Sequence, residues 1–241
     1  YVAEYGSGVG KETPLLESAS DEIVEAWSKD GKFIAYLTGQ DDFRYIYALP
    51  LVDGKPFPVV QGHFQKNEPQ FSYDGNWLAY TSDRTLAGTF QVYVRSFPGG
   101  DQEIAVSTAG GGQPRWRKDG KELYYRAPDY SIMAVEIKAG ARLEAGIPHQ
   151  LFPTLRATES VNPVRHVLAV TPDGLRFLLR IQPGGGGAPG NAGVPMVPPL
   201  AGTSGQAAPA GGSPIVGTPG PFSSGLTVIQ HWTAALGKAE K

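Results

Sequence analysis

Four times along this 241-residue chain a bulky residue, two intervening positions and an Asp-Gly pair lead into an alternating apolar stretch. The copies read Trp27-Ser28-Lys29-Asp30-Gly31, Phe71-Ser72-Tyr73-Asp74-Gly75, Trp116-Arg117-Lys118-Asp119-Gly120 and Val170-Thr171-Pro172-Asp173-Gly174. Successive aspartates stand 44, 45 and 54 residues apart. A unit of this length cannot bury both of its faces alone, so tandem copies must stack, and the stacking decides the fold.

The interior of each copy is written in a two-residue period. Ile34 and Tyr36, Leu78 and Tyr80, Leu123 and Tyr125, and Phe177 and Leu179 recur at fixed offsets from the aspartate, and a spacing of two puts each pair on one face of a strand. Trp27, Phe71, Trp116 and Val170 then lie on a preceding strand, across a turn that Asp-Gly suits because glycine accepts positive φ. Their shared offset marks Trp27, Phe71 and Trp116 as packing residues. Third strands are predicted at 45–49, 91–97 and 132–137, with shorter fourth strands at 58–60, 103–107 and 149–152, separated by Gly- or Pro-containing turns.

Four antiparallel strands per repeat with a period near 45 define an all-β fold, a β-propeller of four-stranded blades. The chain divides into 1–24 as the end of a preceding blade, blades at 25–62, 63–108 and 109–153, and a final blade at 154–241. Tyr1 to Tyr5 and Thr13 to Leu16 are expected as the last two strands of the earlier blade. A leading half-blade implies a fragment of a larger ring.

The final blade carries an insertion at 183–225. From Pro183 to Pro221, 21 of 39 residues are Gly or Pro, and no Asp, Glu, Lys or Arg occurs between Arg180 and Lys238. Such a stretch has too little to bury to offset its ordering entropy, so it is expected as a disordered linker. The strand pattern resumes at Leu226-Thr227-Val228-Ile229.

Composition narrows function by exclusion. A net charge of −2 with 18% charged residues lacks the basic excess of a nucleic-acid binder. No stretch approaches the roughly 18 consecutive apolar residues of a membrane span, so this segment is not expected to insert. Without cysteine there are no disulfides, thiolate metal sites or thiol nucleophiles, and the compartment stays open.

Catalytic motifs are also missing. Gly6-Ser7-Gly8-Val9-Gly10-Lys11 fails as a phosphate loop, because Tyr5 stands where glycine is needed and Glu12 follows the lysine. No G-x-S-x-G elbow occurs, and His63, His149, His166 and His231 lack metal-ligand spacing. No catalytic residue, metal or cofactor is assigned. In a propeller, the loops joining blades and those between second and third strands share one rim. Those loops carry Arg44, Glu68, Arg84, Gln113, Arg115, Arg126 and Arg165, an arginine-rich mouth suited to an acidic or carboxylate ligand.

The stretches Glu68-Pro69-Gln70-Phe71-Ser72-Tyr73-Asp74-Gly75 and Gln113-Pro114-Arg115-Trp116-Arg117-Lys118-Asp119-Gly120 resemble the TolB-like, WD40-like propeller repeat, P-x-[FW]-S-P-D-G followed by an apolar strand. Only Pro172 keeps the proline before Asp-Gly, and Val170 replaces the aromatic in the last copy. More narrowly, Val92-Tyr93-Val94-Arg95-Ser96-Phe97-Pro98-Gly99-Gly100 and the run Met133-Ala134-Val135-Glu136 through Leu143-Glu144-Ala145-Gly146 with Leu151-Phe152 are similar to the carboxy-terminal propeller of certain bacterial serine/threonine kinases. That resemblance implies a kinase domain upstream, commonly beyond a membrane span, and an extracytoplasmic setting. It makes this chain a non-catalytic sensor or interaction module for a protein, peptide or cell-envelope ligand. The alternatives are a stand-alone periplasmic TolB-type scaffold, or the gating propeller of a prolyl-oligopeptidase-like serine peptidase. The polar tail Ala234 to Lys241 reads as a natural terminus, which disfavours a hydrolase downstream.

Overall fold

The computed structural model describes residues 14–18, 20–39, 43–52, 54–140, 142–154, 168–181 and 225–230. Its first sheet is an antiparallel meander of β1 (Ile23–Trp27), β2 (Phe33–Thr38), β3 (Tyr45–Pro50) and β4 (Phe57–Val60). The second repeats it with β5 (Lys66–Phe71), β6 (Trp77–Ser82), β7 (Gln91–Ser96) and β8 (Glu103–Ala105). The third contains β9 (Gly112–Trp116), β10 (Glu122–Arg126) and β11 (Ile132–Ala139), with β12 (Leu143–Ala145) and β13 (His149–Phe152) dividing the outer edge of β11. The last described sheet is β14 (Leu168–Val170), β15 (Arg176–Ile181) and β16 (Gly225–Gln230). The molecule is all-β, built as propeller blades.

Two details depart from a uniform four-strand unit. The third blade has five strands because β11 is eight residues long, long enough to pair β12 at one end and β13 at the other. The final sheet shows three strands among the described residues. Of the strands expected for an earlier blade, Tyr1 to Thr13 lie outside the described residues, and Pro14 to Leu16 form no strand. The insertion at 183–225 and the tail from 231 also fall outside them, apart from Gly225 at the start of β16.

Each Asp-Gly pair makes the same turn. Gly31, Gly75 and Gly174 sit at φ 74° and Gly120 at 71°, left-handed values that glycine adopts without a Cβ penalty. The glycine N–H donates three residues back, as from Gly31 to Ser28 O at 3.0 Å and from Gly75 to Ser72 O at 3.1 Å. The aspartate accepts the N–H two residues ahead, Lys32 to Asp30 Oδ1 at 3.1 Å and Leu175 to Asp173 Oδ1 at 3.0 Å. A hydroxyl at the first position (Ser28, Ser72, Thr171) donates to that carboxylate and receives an N–H from across the hairpin. In the third blade Arg117 supplies only the donating half, with a two-pronged grip on Asp119, 2.9 Å on each side, since a guanidinium cannot accept an N–H.

The core lies between blades. Leu78 and Tyr80 of the second blade pack on Ala35, Leu37, Ile46 and Ala48 of the first. Leu123 and Tyr125 pack on Ala79, Val92 and Val94, and Phe177 and Leu179 on Tyr124, Ile132 and Ala134. The second, third and last blades thus turn their second-strand pairs onto the blade behind them, which is why the same offsets recur. Phe71 and Trp116 are buried in these seams, and Trp116 Nε1 donates to Gln70 O of the preceding blade at 3.1 Å.

Trp27 is a correction. It shares their offset yet is 52% exposed. Packing at this offset depends on a blade behind the residue, and no described residue covers Trp27 as Gln70 and its neighbours cover Trp116.

A rim cleft between the second and third blades as candidate functional site

The first strand of each of the first three blades contains one extra residue at the same place in the repeat. Register jumps between Val24 and Ala26 on β1 and between Asn67 and Gln70 on β5. On β9 the jump lies between Gly112, opposite Arg126, and Arg115, opposite Tyr124. A bulge turns the strand and re-aims the side chains beside it. In the second and third blades the bulge holds Glu68 and Gln113 at φ 57°, each followed by proline. Proline cannot donate to a sheet ladder, so its recurrence inside a strand was the sequence's signal for these bulges.

The two bulges face each other across a blade seam. Glu68 is buried, and its Oε2 accepts the Gln113 N–H at 2.7 Å and the Thr81 hydroxyl at 3.3 Å. They form the floor of an open cleft of about 520 Å³. One wall is the β6–β7 loop, with Thr89 and Phe90, and the other is the end of β10 and the loop after it, with Arg126 and Tyr130. By strand direction both loops lie on the rim opposite the Asp-Gly turns. Asp83 holds the first wall by accepting from Gln65 N at 2.8 Å and Gly88 N at 3.0 Å. The second is held by Ala127 N to Ser131 O and Tyr130 N to Ala127 O, both at 2.9 Å.

Three of the seven sequence-predicted rim residues, Glu68, Gln113 and Arg126, therefore line one cleft. Arg126 lies over the Tyr130 ring, 4.4 Å from its centroid. Arg84 is directed elsewhere: it pairs with Glu103, donates to Tyr80 Oη at 3.3 Å and stacks 3.8 Å from the Tyr93 centroid. Arg115 is a seam residue, with Nε donating to Leu168 O at 2.9 Å and a second nitrogen to Pro114 O at 2.7 Å. Burial pulls its pKa down, opposed by the carboxylates of Glu68 and Glu25. Arg44 sits between β2 and β3, and its carbonyl accepts from Lys66. Arg165 lies outside the described residues. The mouth is thus less arginine-rich than the sequence suggests, because two arginines are spent tying strands together.

Sequence reasoning did not find Asn67, Thr81, Phe90 and Tyr130 as lining residues, nor Lys66 beneath the rim. Lys66 is fully buried, and its Nζ donates to the carbonyls of Arg44 at 2.8 Å and of Gly62 and Phe64 at 2.7 Å. Burial pushes its pKa down to about 8, against the pull of Asp83. All three ammonium protons are used in holding the connection between the first two blades. Among the described residues no three His, Asp or Glu side chains gather as metal ligands, and no helix is long and apolar enough to cross a membrane.

No protein-family model matches the chain. An uncharacterized protein of Agrobacterium fabrum is 29% identical over 85 residues, covering 35% of this chain and 28% of that protein. TolB from Acinetobacter baumannii superposes with a TM-score of 0.54 at 20% identity, over 71% of this chain and 40% of that structure. A puromycin-hydrolyzing peptidase of Mycobacterium tuberculosis gives 0.51 at 18% identity, over 67% and 28%. The fold is that of a TolB-like β-propeller. The chain spans less than half the length of each of these proteins.

Proposed function

We propose that this chain is a non-catalytic interaction module, a rigid propeller segment that presents its rim to a protein or peptide. The observation that carries the reading is the convergence of Glu68, Gln113 and Arg126 on one rim cleft whose walls are loops and whose floor is locked sheet. Loops on a rigid scaffold are where binding concentrates. The resemblance of the 92–100 and 133–152 stretches to kinase-associated propellers supports a sensor role, in which a ligand at the rim biases an attached kinase domain outside the cytoplasm.

Two experiments test the halves of this proposal separately. A photo-crosslinking residue at Thr89, on the cleft wall, is expected to capture a specific protein from envelope extracts. The same residue at Lys121, in the Asp-Gly turn of the third blade on the other rim, is expected not to. Equal capture at both positions, or none at Thr89, overturns the interaction reading. Upstream coding sequence with H-R-D and D-F-G motifs supports the kinase attachment. A signal peptide and a small domain there replace it with a stand-alone TolB-type scaffold.

A further inference from the structure

Among the described residues only three non-glycine residues adopt positive φ: Glu68, Gln113 and Tyr130. All three line the cleft between the second and third blades. Non-glycine residues resist this conformation, and such residues persist where the surroundings impose them, commonly at sites of recognition.

Tyr130 is the most telling. Its N–H donates three residues back to Ala127 O, and Asp129 accepts the N–H two residues ahead at 3.0 Å. At φ 72° it occupies the place that Gly31, Gly75, Gly120 and Gly174 take in the Asp-Gly turns. Four turns of this shape carry glycine, and the one facing the cleft carries a bulky aromatic. Local stability favours glycine there, so the tyrosine is retained against the turn's own preference. Its ring supports the Arg126 guanidinium.

The other cleft residues complete a pattern. Gly88 leaves one wall bare, since a Cβ there would meet nothing within 4 Å, and a bare wall lets another backbone approach closely. Gly111 and Gly112 instead make room for the seam's own side chains. A Cβ on Gly111 would lie 2.6 Å from the Tyr125 ring, and one on Gly112 would lie 3.2 Å from Glu68 Oε2. Phe90 faces the cleft from the opposite wall. The cleft's acidic group, Glu68, is turned into the scaffold by Gln113 and Thr81 and neighbours Arg115. Arg126, stacked on the Tyr130 ring, brings a cation to the cleft wall.

We propose that this cleft binds a short extended peptide segment carrying an acidic side chain beside an apolar or aromatic one. Its carboxylate meets Arg126, its apolar side chain packs against Phe90 and Tyr130, and its backbone passes the bare wall at Gly88. Guanidinium groups pair with carboxylates directionally, and aromatic residues supply contact area at low entropic cost. The inference rests on the interaction-module reading and gives it a ligand class.

The test is a random heptapeptide display library panned on the full chain, followed by affinity measurements with labelled versions of the enriched peptides. Enriched sequences are expected to pair Asp or Glu with a neighbouring large apolar residue. Binding should weaken about tenfold or more in Arg126→Gln, and be blocked in Thr89→Trp, which fills the cleft from its wall. Tyr130→Gly should weaken binding while leaving the melting temperature unchanged or higher, an outcome that a purely structural tyrosine would not give. Enriched peptides without acidic residues, or insensitive to all three variants, overturn the acidic-peptide assignment, while protein capture at Thr89 would still support the interaction module. N-acetylglutamate and glutarate are included as competitors. Displacement by either at peptide-like concentration makes this a small-carboxylate site and overturns the peptide assignment. Failure to enrich any peptide also sinks the assignment, while the crosslinking at Thr89 tests the module reading independently.

Discussion

At each Asp-Gly hairpin the aspartate gathers the donors that close the turn. Asp30 receives the Ser28 hydroxyl, the Lys32 backbone N–H and the Lys32 ammonium, and these bonds hold its pKa well below the usual carboxylate range, at about 2. Asp74, Asp119 and Asp173 are lowered as well; side-chain hydrogen bonds lead for the latter two, and at Asp74 they overcome opposing burial. A carboxylate whose folded pKa is depressed adds stability above its unfolded pKa and loses it as pH falls through the folded one. Stability should therefore drop between about pH 4 and pH 2, and Asp30→Asn should flatten part of that slope in urea melts taken across the window. A slope unchanged in the variant would count against the turn as its source. The glycines beside these aspartates are not equivalent. A Cβ on Gly75 would meet nothing within 4 Å, so Gly75→Ala should cost only the left-handed strain, about 1–2 kcal/mol. A Cβ on Gly174 would lie 2.1 Å from Tyr124 Oη, which donates to Glu122 at 2.7 Å. Gly174→Ala should cost more than Gly75→Ala in chemical denaturation, and equal losses would show that Tyr124 moves freely.

Blades are held to one another by the large side chains that each turns onto the one before it. Trp116 is 5% exposed and bonded to Gln70 of the blade behind it, whereas Trp27, at the same repeat position, is half in solvent. Trp116→Ala should destabilise by about 3–5 kcal/mol, and Trp27→Ala by less than about 1 kcal/mol. Matching losses in denaturant midpoints would mean that the face of Trp27 is covered like the others. This pair also marks the limit of what the sequence makes legible. The strands and Asp-Gly turns are readable because their causes are local: a two-residue apolar period, a glycine at positive φ, a carboxylate beside its own backbone. Burial of a repeated tryptophan is not local, since it needs a neighbour to be present. The five-strand edge of the third blade was hidden for a related reason, because the length of β11 allows two partners where its repeat mates take one.

At the scale of the whole molecule, topology told more than chemistry did. Strand direction alone places the starts of β5 and β9, the end of β10 and the β6–β7 and β10–β11 loops on one rim. That makes Glu68, Gln113 and Arg126 legible as rim residues, although they sit on strands and not in the loops expected. Arg84 and Arg115 share that placement by position, yet their side chains turn to Glu103 and to Leu168, a choice made by partners distant in sequence. The same topology governs the Gly- and Pro-rich insertion. It separates Ile181 from Gly225, which face each other as the terminal pair of the β15–β16 hairpin. A connection that long raises the entropy lost on closing the hairpin, by roughly 0.6 kcal/mol per doubling of length. Replacing it with a turn of about five residues should therefore stabilise the final blade by about 2 kcal/mol. The expected readout is a higher denaturation midpoint with the rest of the unfolding curve retained. A lower midpoint would show that the insertion packs on the blades, and its uncharged, proline-broken composition would then need a role beyond spacing.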